Sequence, residues 1–493
     1  MQYLFTAKQA KQLDEHAIQE VGFPGAVLME KAATVLSSVI EQSIRKDEGI
    51  LFVCGCGNNG GDAVAAARIL KQQGYHTAIV LVGETSRMSE DLFLQLRLAA
   101  ACDVEAVTAA EVDSAEYPIL VDGLFGVGLN RPVEGVYQAM IEQMNRSQKR
   151  IFAIDIPSGI HGDTGKVLGT AVKAETTVTF GVNKLGLVLY PGCQYAGNVV
   201  IGDIGYPDCS YEAIENPAYY YDKRDLEHCL PERRPDGHKG TFGHVLVIGG
   251  SKNMCGAAVF AAKAAYRMGA GLVKVLSAKE NRQTILTMLP EALVDSYEEE
   301  EALAEGLAFA DVIVLGPGLG TGEDAKKIIT YVLKNSDKSI VLDGDGITMC
   351  SREQLQKTKT PWILTPHPKE FCTISGWTMA ELKEEFLQKV KQFAEEQGGI
   401  VVGKDARTCV SDGNECYVNI SGNSGMATGG SGDVLAGTIG GLVAQGMSCF
   451  EAAKAAVYLH GLAGDRYKEK YGEHGMMARD LIDSLQKIHQ NGE

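Results

Sequence analysis

A segment rich in glycine and asparagine, residues 55–62, carries the first recognisable chemistry of the 493-residue sequence. It reads Gly-Cys-Gly-Asn-Asn-Gly-Gly-Asp, follows an apolar run that predicts a strand, and opens a predicted helix. Its glycines match the dinucleotide-binding pattern G-x-G-x-x-G. We predict that Asp62 lies in the first helical turn, where its carboxylate would repel a phosphate. Asn58 and Asn59 suit a hydroxyl-rich ligand or a cation.

Two further predicted strands end in aspartate. Asp122-Gly123 follows one of them and leads into a glycine-rich loop, and Asp155 follows the next, with Ser158 three residues later. In open α/β sheets, ligands bind at the carboxyl ends of the strands. The three motifs are therefore predicted to converge on one pocket in the N-terminal half.

A second glycine-rich loop, within Asn423–Gly437, runs directly into an apolar helical pattern. Consecutive main-chain N–H groups at a helix start bind phosphoryl groups, so we predict that residues 428–432 hold a phosphate. Asp433 lies in the predicted first turn, where it can receive a proton from an acceptor hydroxyl. Phosphoryl transfer requires little more than this positioning and charge stabilisation.

The N-terminal motifs N-N-G-G-D, D-x-L-F-G-x-G and D-I-P-S-G resemble the NAD(P)H-hydrate epimerase family over about residues 1–210. The resemblance implies interconversion of the two C6 epimers of hydrated NAD(P)H, with Asp122 as our first choice for acid–base catalysis and an ion-binding role as the alternative. It implies a potassium ion held by Asn59, Asp122 and Ser158. The implied substrate contacts are Asn58, Asn59, Gly60, Gly61, Asp62, Gly126, Val127, Gly128, Leu129, Asn130, Arg131, Pro132 and Asp155.

The C-terminal motifs G-G-S-G-D, L-G-P-G-L-G, T-P-H-P-K-E and V-G-K-D-A-R-T resemble the ribokinase-like, ADP- or ATP-dependent NAD(P)H-hydrate dehydratases over about residues 225–485. The resemblance implies that Asp433 accepts the proton of the C6 hydroxyl during attack on the terminal phosphate, with Mg²⁺ sharing the charge. The implied hydrate contacts are Ala257, Gly318, His367 and Asp433. The implied nucleotide contacts are Lys404, Asp405, Ala406, Arg407, Thr408 and Gly432.

Alternating apolar runs and helical patterns must position these motifs. Short apolar strands between helices indicate parallel sheets covered on both faces. We predict an α/β protein of two domains, an N-terminal Rossmann-like three-layer αβα sandwich and a C-terminal ribokinase-like αβα domain. Residues 5–44 are predicted to form two helices broken at 22–25, and two helices are predicted to close the second domain, at Ser431–Gln445 and Phe450–Tyr467.

The predicted domain boundary lies near residues 210–225, where the alternation stops and the tyrosines Tyr219, Tyr220 and Tyr221 cluster. We assign residues 1–215 to the epimerase domain and 222–493 to the dehydratase domain. An ordered segment is expected to lead into the second domain.

Composition limits the possible functions. The net charge of −17 argues against a nucleic-acid-binding surface, which needs clustered Lys and Arg. There is no apolar run long enough to predict a membrane span and no signal-peptide pattern, so we expect a cytoplasmic protein. The twelve cysteines include no C-x-x-C and are expected to be reduced. The expected partners are NADHX, NADPHX and an adenine nucleotide, with assembly into a homo-oligomer.

Three alternatives stay open. A kinase for a vitamin-precursor alcohol would share the phosphate loop but would release a stable phosphorylated product. The N-terminal half could instead serve as a ligand-binding or interaction module. A dehydrogenase built on Gly55, Gly57 and Gly60 would bind unmodified NAD tightly.

Overall fold

The structure, a computed structural model, describes residues 1–488 of the chain, with Arg87 described by its backbone alone. The last five residues of the predicted second domain, 489–493, lie outside the described part. The chain divides into two compact units, Gln2–Pro217 and Ala218–Glu493, the second joined by Met1.

The N-terminal unit is built on a parallel seven-stranded sheet. Its strand order is β4-β3-β2-β5-β6-β7-β9, and outside this sheet β1 pairs with β8 in parallel. The strands are β1 (Gln2–Phe5), β2 (Ile50–Cys54), β3 (Thr77–Leu81), β4 (Glu105–Ala106), β5 (Ile119–Gly123), β6 (Arg150–Ile154), β7 (Thr176–Phe180), β8 (Asn183–Lys184) and β9 (Asn198–Gly202).

Helices connect these strands and supply two separate apolar cores on the sheet. Alanine dominates the buried face of α3, so this helix packs closely against both the strands and its neighbouring helices. The helices are α1 (Ala7–Glu15), α2 (Gly25–Ser43), α3 (Asn58–Gln72), α4 (Glu90–Ala101), α5 (Gly135–Arg146), α6 (Leu185–Val188), α7 (Cys193–Ala196) and α8 (Asp208–Glu212).

The strand order of this unit reverses direction at β2 and β5. From β2 the chain moves outward through β3 to β4, and from β5 it moves the other way to β9. A crevice forms at the carboxyl ends of two strands where connections diverge in this manner. The segments after β2 and β5 are residues 55–62 and 124–132, so the topology places both sequence motifs at this crevice.

The C-terminal unit repeats the plan with ten strands in the order β13-β12-β11-β14-β15-β16-β17-β18-β19-β10. The pairs from β13 to β17 are parallel, and β17, β18 and β19 are antiparallel. The strands are β10 (Ala218–Tyr220), β11 (His244–Ile248), β12 (Leu272–Ser277), β13 (Leu293–Ser296), β14 (Val312–Leu315), β15 (Ser339–Leu342), β16 (Trp362–Leu364), β17 (Ile400–Gly403), β18 (Cys409–Ser411) and β19 (Cys416–Val418).

Twelve helices of the described chain belong to this second unit. They are α9 (Cys255–Arg267), α10 (Arg282–Met288), α11 (Glu300–Phe309), α12 (Glu323–Asn335), α13 (Asp345–Thr348), α14 (Arg352–Lys357), α15 (Pro368–Ser375), α16 (Met379–Glu384), α17 (Phe386–Gln397), α18 (Ser431–Ala444), α19 (Cys449–Tyr471) and α20 (Ala478–Leu485).

Helix α9 packs closely against the middle of α18. A Cβ atom added at Gly437 would lie 2.0 Å from the carbonyl oxygen of Ala261, so only glycine permits this approach. The order of this sheet reverses at β11 and β14, which again places a crevice at the carboxyl ends of two neighbouring strands.

The α/β architecture and the parallel sheets confirm the predicted fold class. The helix break at residues 22–25 is also as predicted, and β18 and β19 form an antiparallel hairpin. Three differences concern short elements: β1 precedes the first helix, β10 contains Tyr219 and Tyr220, and α20 follows the two helices that were expected to close the chain. In the described part of the chain, no two of the twelve cysteines form a disulfide bond. Within residues 1–488, no helix is long and apolar enough to cross a membrane.

Candidate functional site

A cavity of about 830 Å³ opens at the crevice of the N-terminal unit. The start of α3 and the loop after β5 form much of its wall, and Asp155 adds a carboxylate from the end of β6. The predicted substrate-contact residues that line it are Asn58, Asn59, Asp62, Gly126, Val127, Gly128, Leu129, Asn130, Arg131 and Asp155. The predicted convergence of the three motifs on one pocket is thus observed.

The predicted position of Asp62 in the first helical turn is wrong. Helix α3 starts at Asn58, after the N-cap Gly57, so Asp62 is its fifth residue. In the described chain, the first-turn N–H groups of Asn58, Asn59 and Gly60 have no acceptor. The helix therefore begins one turn earlier than predicted, and the repulsion argument against a phosphate at this end no longer applies.

The glycines of this motif have a packing reason. A Cβ atom at Gly60 would lie 2.0 Å from the carbonyl oxygen of Gly55, and one at Gly61 would lie 2.8 Å from Cε of Met29. Gly60 and Gly61 are buried, so they bring the helix against the strand end and hold the neighbouring asparagines at the cavity. Neither glycine lines the cavity in the described structure, and Pro132 does not line it either.

Asp122 and Ser158 lie beneath this cavity and are fully buried. The Ser158 hydroxyl donates to Oδ1 of Asp122 over 2.6 Å, and the Ser158 N–H donates to Oδ2 over 2.8 Å. The N–H of Leu124 donates to Oδ1 as well, over 3.2 Å. Burial raises the pKa of Asp122 to about 6, although these hydrogen bonds act in the opposite direction.

The surroundings of Asp122 supply oxygen atoms but no cation. The Phe125 carbonyl lies 3.3 Å from the Ser158 hydroxyl, and the side chain of Asn59 approaches the adjoining loop at Gly126. Among residues 1–488, no Lys, Arg or His forms an ion pair with Asp122, and the side-chain amide nitrogen of Asn59 is buried without a hydrogen bond. A buried carboxylate among oxygen ligands suits a hard cation.

Asp155, at the cavity wall, forms an ion pair with Lys184. Lys184, itself buried, contacts Oδ1 of Asp155 at 2.7 Å and also donates to the hydroxyl of Thr179 at 2.7 Å. Asp155 adopts a φ of +66°, a left-handed conformation that is rare outside glycine. This turn directs its carboxylate to the N–H of Val127, so the end of β6 is tied to the loop after β5.

The phosphate loop of the C-terminal unit ends at α18. Gly430, the N-cap, has a φ of +93°, and Asp433 lies in the first turn as predicted. Within the described residues, the N–H groups of Gly429, Gly430, Gly432 and Asp433 have no hydrogen-bond acceptor. The loop thus presents open main-chain donors next to a carboxylate.

The carboxylate of Asp433 forms no hydrogen bond or ion pair within residues 1–488. Burial raises its pKa to about 7, and the negative charge of Asp343 adds to the effect while Lys404 opposes it. A carboxylate with a pKa near the working pH is suited to proton transfer.

Lys404 lies beside this loop. Its Nζ contacts Oδ1 of Asp343 at 2.8 Å, and a Cβ atom added at Gly432 would lie 3.1 Å from the same Nζ. Burial alone would lower the pKa of Lys404, but Asp343 and Glu370 raise it, so the ammonium group is retained. Thr365 donates to Asp343 over 2.5 Å and fixes this carboxylate.

The side chain of His367 stabilises the start of α15. Its Nδ1 accepts from the N–H groups of Lys369 and Glu370, and its Nε2 lies 3.3 Å from Oε1 of Glu370. Burial and the charge of Lys404 lower its pKa. Its side chain is half exposed, so the ring can also meet a ligand.

The remaining predicted residues of this half fall into two places. Ala257 and Gly318 are adjacent, since a Cβ atom at Gly318 would lie 2.9 Å from the Cβ of Ala257. The predicted nucleotide segment connects β17 to β18, and Arg407 in it donates to the carbonyl of Ile420 over 2.9 Å. Its other members are Lys404, Asp405, Ala406 and Thr408.

Sequence reasoning missed Asp343 and Asp345. They follow β15 in Leu-Asp-Gly-Asp, the same strand-end aspartate and glycine pattern that identified Asp122 in the first half. Glu370, which the sequence analysis gave no role, is also part of this site. Its charge affects the pKa of both Lys404 and Asp433, and burial raises its own pKa to about 7.

Comparison with known proteins agrees with this division. The family model for NAD(P)H-hydrate dehydratase matches residues 245–487, and the model for the YjeF-related protein N-terminus matches residues 25–186. The chain is similar to proteins named bifunctional NAD(P)H-hydrate repair enzyme. That of Thermofilum pendens is 34% identical, over 97% of this chain and 94% of the relative, and that of Escherichia coli is 33% identical, over 96% and 92%.

Solved structures resemble the C-terminal unit. A ribokinase-like superfamily protein from Enterococcus faecalis is 32% identical with a TM-score of 0.52, covering 55% of this chain and 94% of that chain. The ADP/ATP-dependent NAD(P)H-hydrate dehydratase from Bacillus subtilis, crystallised with ATP and Mg²⁺, is 29% identical with a TM-score of 0.51, covering 55% and 98%. From both family models and these full-length relatives, the chain belongs to the family of bifunctional NAD(P)H-hydrate repair enzymes.

Proposed function

We propose that this protein repairs hydrated NADH and NADPH in two steps. The N-terminal unit interconverts the two C6 epimers, and the C-terminal unit dehydrates the S epimer with an adenine nucleotide. The observation that carries the proposal is that, within residues 1–488, the N–H groups of Gly429, Gly430, Gly432 and Asp433 have no acceptor and the Asp433 carboxylate has no partner, in a chain whose relatives match both halves. Cytoplasmic location and homo-oligomeric assembly are further proposals from the sequence.

The dehydration follows from this loop. The C6 hydroxyl attacks the terminal phosphate of ADP or ATP while Asp433 accepts its proton, and the N–H groups of Gly429 to Gly432 hold the transferred group. The ring-nitrogen lone pair then expels phosphate, with loss of a C5 proton, and restores the dihydropyridine. Phosphate leaves far more readily than hydroxide, which is the chemical purpose of the nucleotide.

The chain's own residues and a bound metal ion would together balance the charge around the transferred group. Asp343, Asp345 and Glu370 supply carboxylate oxygens that fit Mg²⁺, which would neutralise phosphate charge when bound. Lys404, next to Gly432, is placed to contact the nucleotide phosphates. We assign residues 404–408 and Gly432 to the nucleotide, and Ala257, Gly318 and His367 to the hydrate.

For the epimerase site, we propose that the hydrate occupies the cavity of the N-terminal unit, against residues 58–62, residues 126–132 and Asp155. The N–H groups at the start of α3 are open, so they can receive the diphosphate of the dinucleotide. The carboxylates of Asp62 and Asp155 then remain for the hydrated ring. Burial raises the pKa of Asp62 well above its ordinary value, which favours a neutral acid there.

We assign Asp122 to a potassium ion, together with Ser158 and Asn59. Support comes from the buried carboxylate without a cationic partner in residues 1–488 and from the oxygen atoms around it. Because Asp122 lies beneath the cavity wall, its position favours ion binding over the acid–base role. The ion would supply the positive charge that keeps this carboxylate ionised and would fix the loop after β5.

One assay tests both halves of the proposal. Purified protein is mixed with a natural mixture of hydrated NADH epimers and either ADP or ATP, and absorbance at the reduced-nicotinamide band is followed. We expect complete recovery of NADH. Recovery that stops at the share of the S epimer would refute the epimerase, and nucleotide consumption that leaves a stable phosphorylated product would indicate a kinase.

A further inference from the structure

Helix α1 brings an acid into the epimerase cavity that none of the sequence motifs contains. Asp14 lines the same cavity as Asp62 and Asp155, although it lies far from both of them in the sequence. Its carboxylate is open to the cavity. The hydroxyl of Tyr206, another cavity residue, donates a hydrogen bond to Oδ1 of Asp14.

The helix that carries Asp14 is anchored at both ends. Thr6 caps it and forms a reciprocal capping box with Gln9. The N–H of Ala7 donates to Asp163 over 2.5 Å, and the ring of His16 contacts the hydroxyl of Ser210 at 3.0 Å. These contacts tie α1 to distant parts of the unit, so Asp14 is held at the cavity rather than displayed on a loose segment.

The protein surrounds Asp14 closely enough to change its acidity. Burial raises its pKa above the ordinary value, even though water reaches the carboxylate from the cavity, and a bound substrate would displace that water. The Tyr206 hydrogen bond opposes this shift. The other charged groups that act on Asp14 are Asp155, Lys184, Glu15 and Asp62.

We propose that Asp14 is a catalytic acid–base residue of the epimerase site and that Tyr206 is its positioning residue. This inference rests on the proposed epimerase function. Tyr206 occupies one oxygen of the carboxylate, and the other oxygen of this cavity-lining residue can exchange a proton with the C6 hydroxyl of the hydrate.

The step can be written in full. Asp14 gives its proton to the C6 hydroxyl, the C6–O bond breaks with its electron pair on oxygen, and water leaves. The ring-nitrogen lone pair forms the C6=N bond of a cationic iminium. Water adds to the other face of C6, the π electrons return to nitrogen, and a second cavity carboxylate takes up the released proton. Exchange with solvent then resets both groups. The carboxylate that Asp14 becomes after this proton transfer stabilises the cation.

The first test compares Asp14→Asn with Glu15→Gln, which removes the next carboxylate on the same helix outside the cavity wall. We expect Asp14→Asn to slow inversion, followed by NMR of the two epimers, by about a hundredfold or more, as for loss of a general acid. Glu15→Gln should stay within about twofold. Thermal unfolding of both variants is measured alongside, and Asp14→Glu should recover part of the rate.

Tyr206→Phe separates catalysis from a merely structural contact. Because the tyrosine lowers the pKa of Asp14 and the acid must be protonated to act, its removal should move the alkaline limb of the inversion rate to higher pH. In heavy-oxygen water, the newly formed epimer should carry solvent oxygen at C6.

Inversion at the wild-type rate in Asp14→Asn, or an unmoved alkaline limb in Tyr206→Phe, would overturn the proposal while leaving the epimerase function standing. Inversion without solvent oxygen would overturn the step as written. Wild-type protein that does not invert the epimers at all would instead refute the proposed function on which the inference rests.

Discussion

Glycines followed by an aspartate occur at the starts of both α3 and α18, yet the two helix starts present different chemistry. In α18 the aspartate is the third helical residue and stands among open N–H groups, so acid and anion site coincide. In α3 the helix begins at Asn58, and Asp62 lies a turn further along against the cavity. The residue at which a helix starts, rather than the sequence motif itself, decides whether a carboxylate and a phosphate can share one site.

The first crevice, in the N-terminal unit, and the second crevice, in the C-terminal unit, therefore have different chemical roles. At the second, β11 and β14 lie next to each other and α18 supplies a phosphate loop, which suits group transfer. At the first, β2 and β5 border a cavity that contains several carboxylates and the buried Asp122–Ser158 pair, which suits proton transfer without a leaving phosphate.

The largest expected effect separates the two units. Asp433→Asn should lower nucleotide-dependent dehydration by about a thousandfold, because loss of a general base typically costs factors of a hundred to ten thousand. Epimerisation, measured by NMR on the same sample, should not change. Asp324→Asn, an exposed carboxylate on α12, is the control and should behave like wild type. Dehydration at the wild-type rate in Asp433→Asn would contradict the role of Asp433 as the base at the start of α18.

The next effect concerns the cation in the first unit. Asp122→Asn should slow epimerisation by about a hundredfold, in the range seen when an ion and the loop it holds are disturbed. The rate of epimerisation by the wild-type protein should rise with potassium concentration, whereas that of the variant should respond weakly. The rate of dehydration by the second unit should be the same in both proteins. Equal potassium dependence in wild type and variant would contradict the ion-binding role of Asp122.

A pH series sharpens the comparison further. The pKa of Asp433 is raised to about 7 by burial and by Asp343, and the group must be ionised to accept a proton. The dehydration rate at saturating S epimer should therefore rise with pH through about 7 and fall below it, approaching a tenfold loss per pH unit. A flat profile between pH 5 and 8 in a chemistry-limited assay would rule out this carboxylate as the base.

The smallest expected effect tests packing at the start of α3. Gly60→Ala places a Cβ atom 2.0 Å from the carbonyl oxygen of Gly55, so we expect a loss of about 1–3 kcal/mol in stability, as for overpacking. Gly57→Ala meets no atom within 4 Å and is the matched control for folding. Thermal unfolding of the N-terminal unit distinguishes them, and equal stability of the two variants would show that the close approach is unimportant.

Strand ends could be predicted from the sequence because parallel strands are buried on both faces and appear as continuous apolar runs. Asp122 and Asp155 were located in this manner and proved to lie at one crevice, whereas Asp433 was located from the glycine-rich loop that opens a helix. Asp343 carries the same pattern, and the rule that found Asp122 would have found it too.

Other features could not be obtained from local sequence. The contact between Asp14 and Tyr206 joins residues 192 positions apart, and it depends on where α1 packs. The packing at the start of α3 is also a tertiary feature, because Gly60 lies so close to the Gly55 carbonyl oxygen that an added Cβ atom would be 2.0 Å from it. Glycines and asparagines have weak helix propensity, so the local pattern predicted a later start than the structure has.

The most direct test of the account is an experimental structure of this protein with ADP or ATP and Mg²⁺. We predict that oxygens of the terminal phosphate accept hydrogen bonds from N–H groups of residues 429–433, with the Asp433 carboxylate facing the hydroxyl side of that phosphate. A nucleotide bound elsewhere, with these N–H groups turned to solvent or packed against protein, would contradict the proposed chemistry of the second unit.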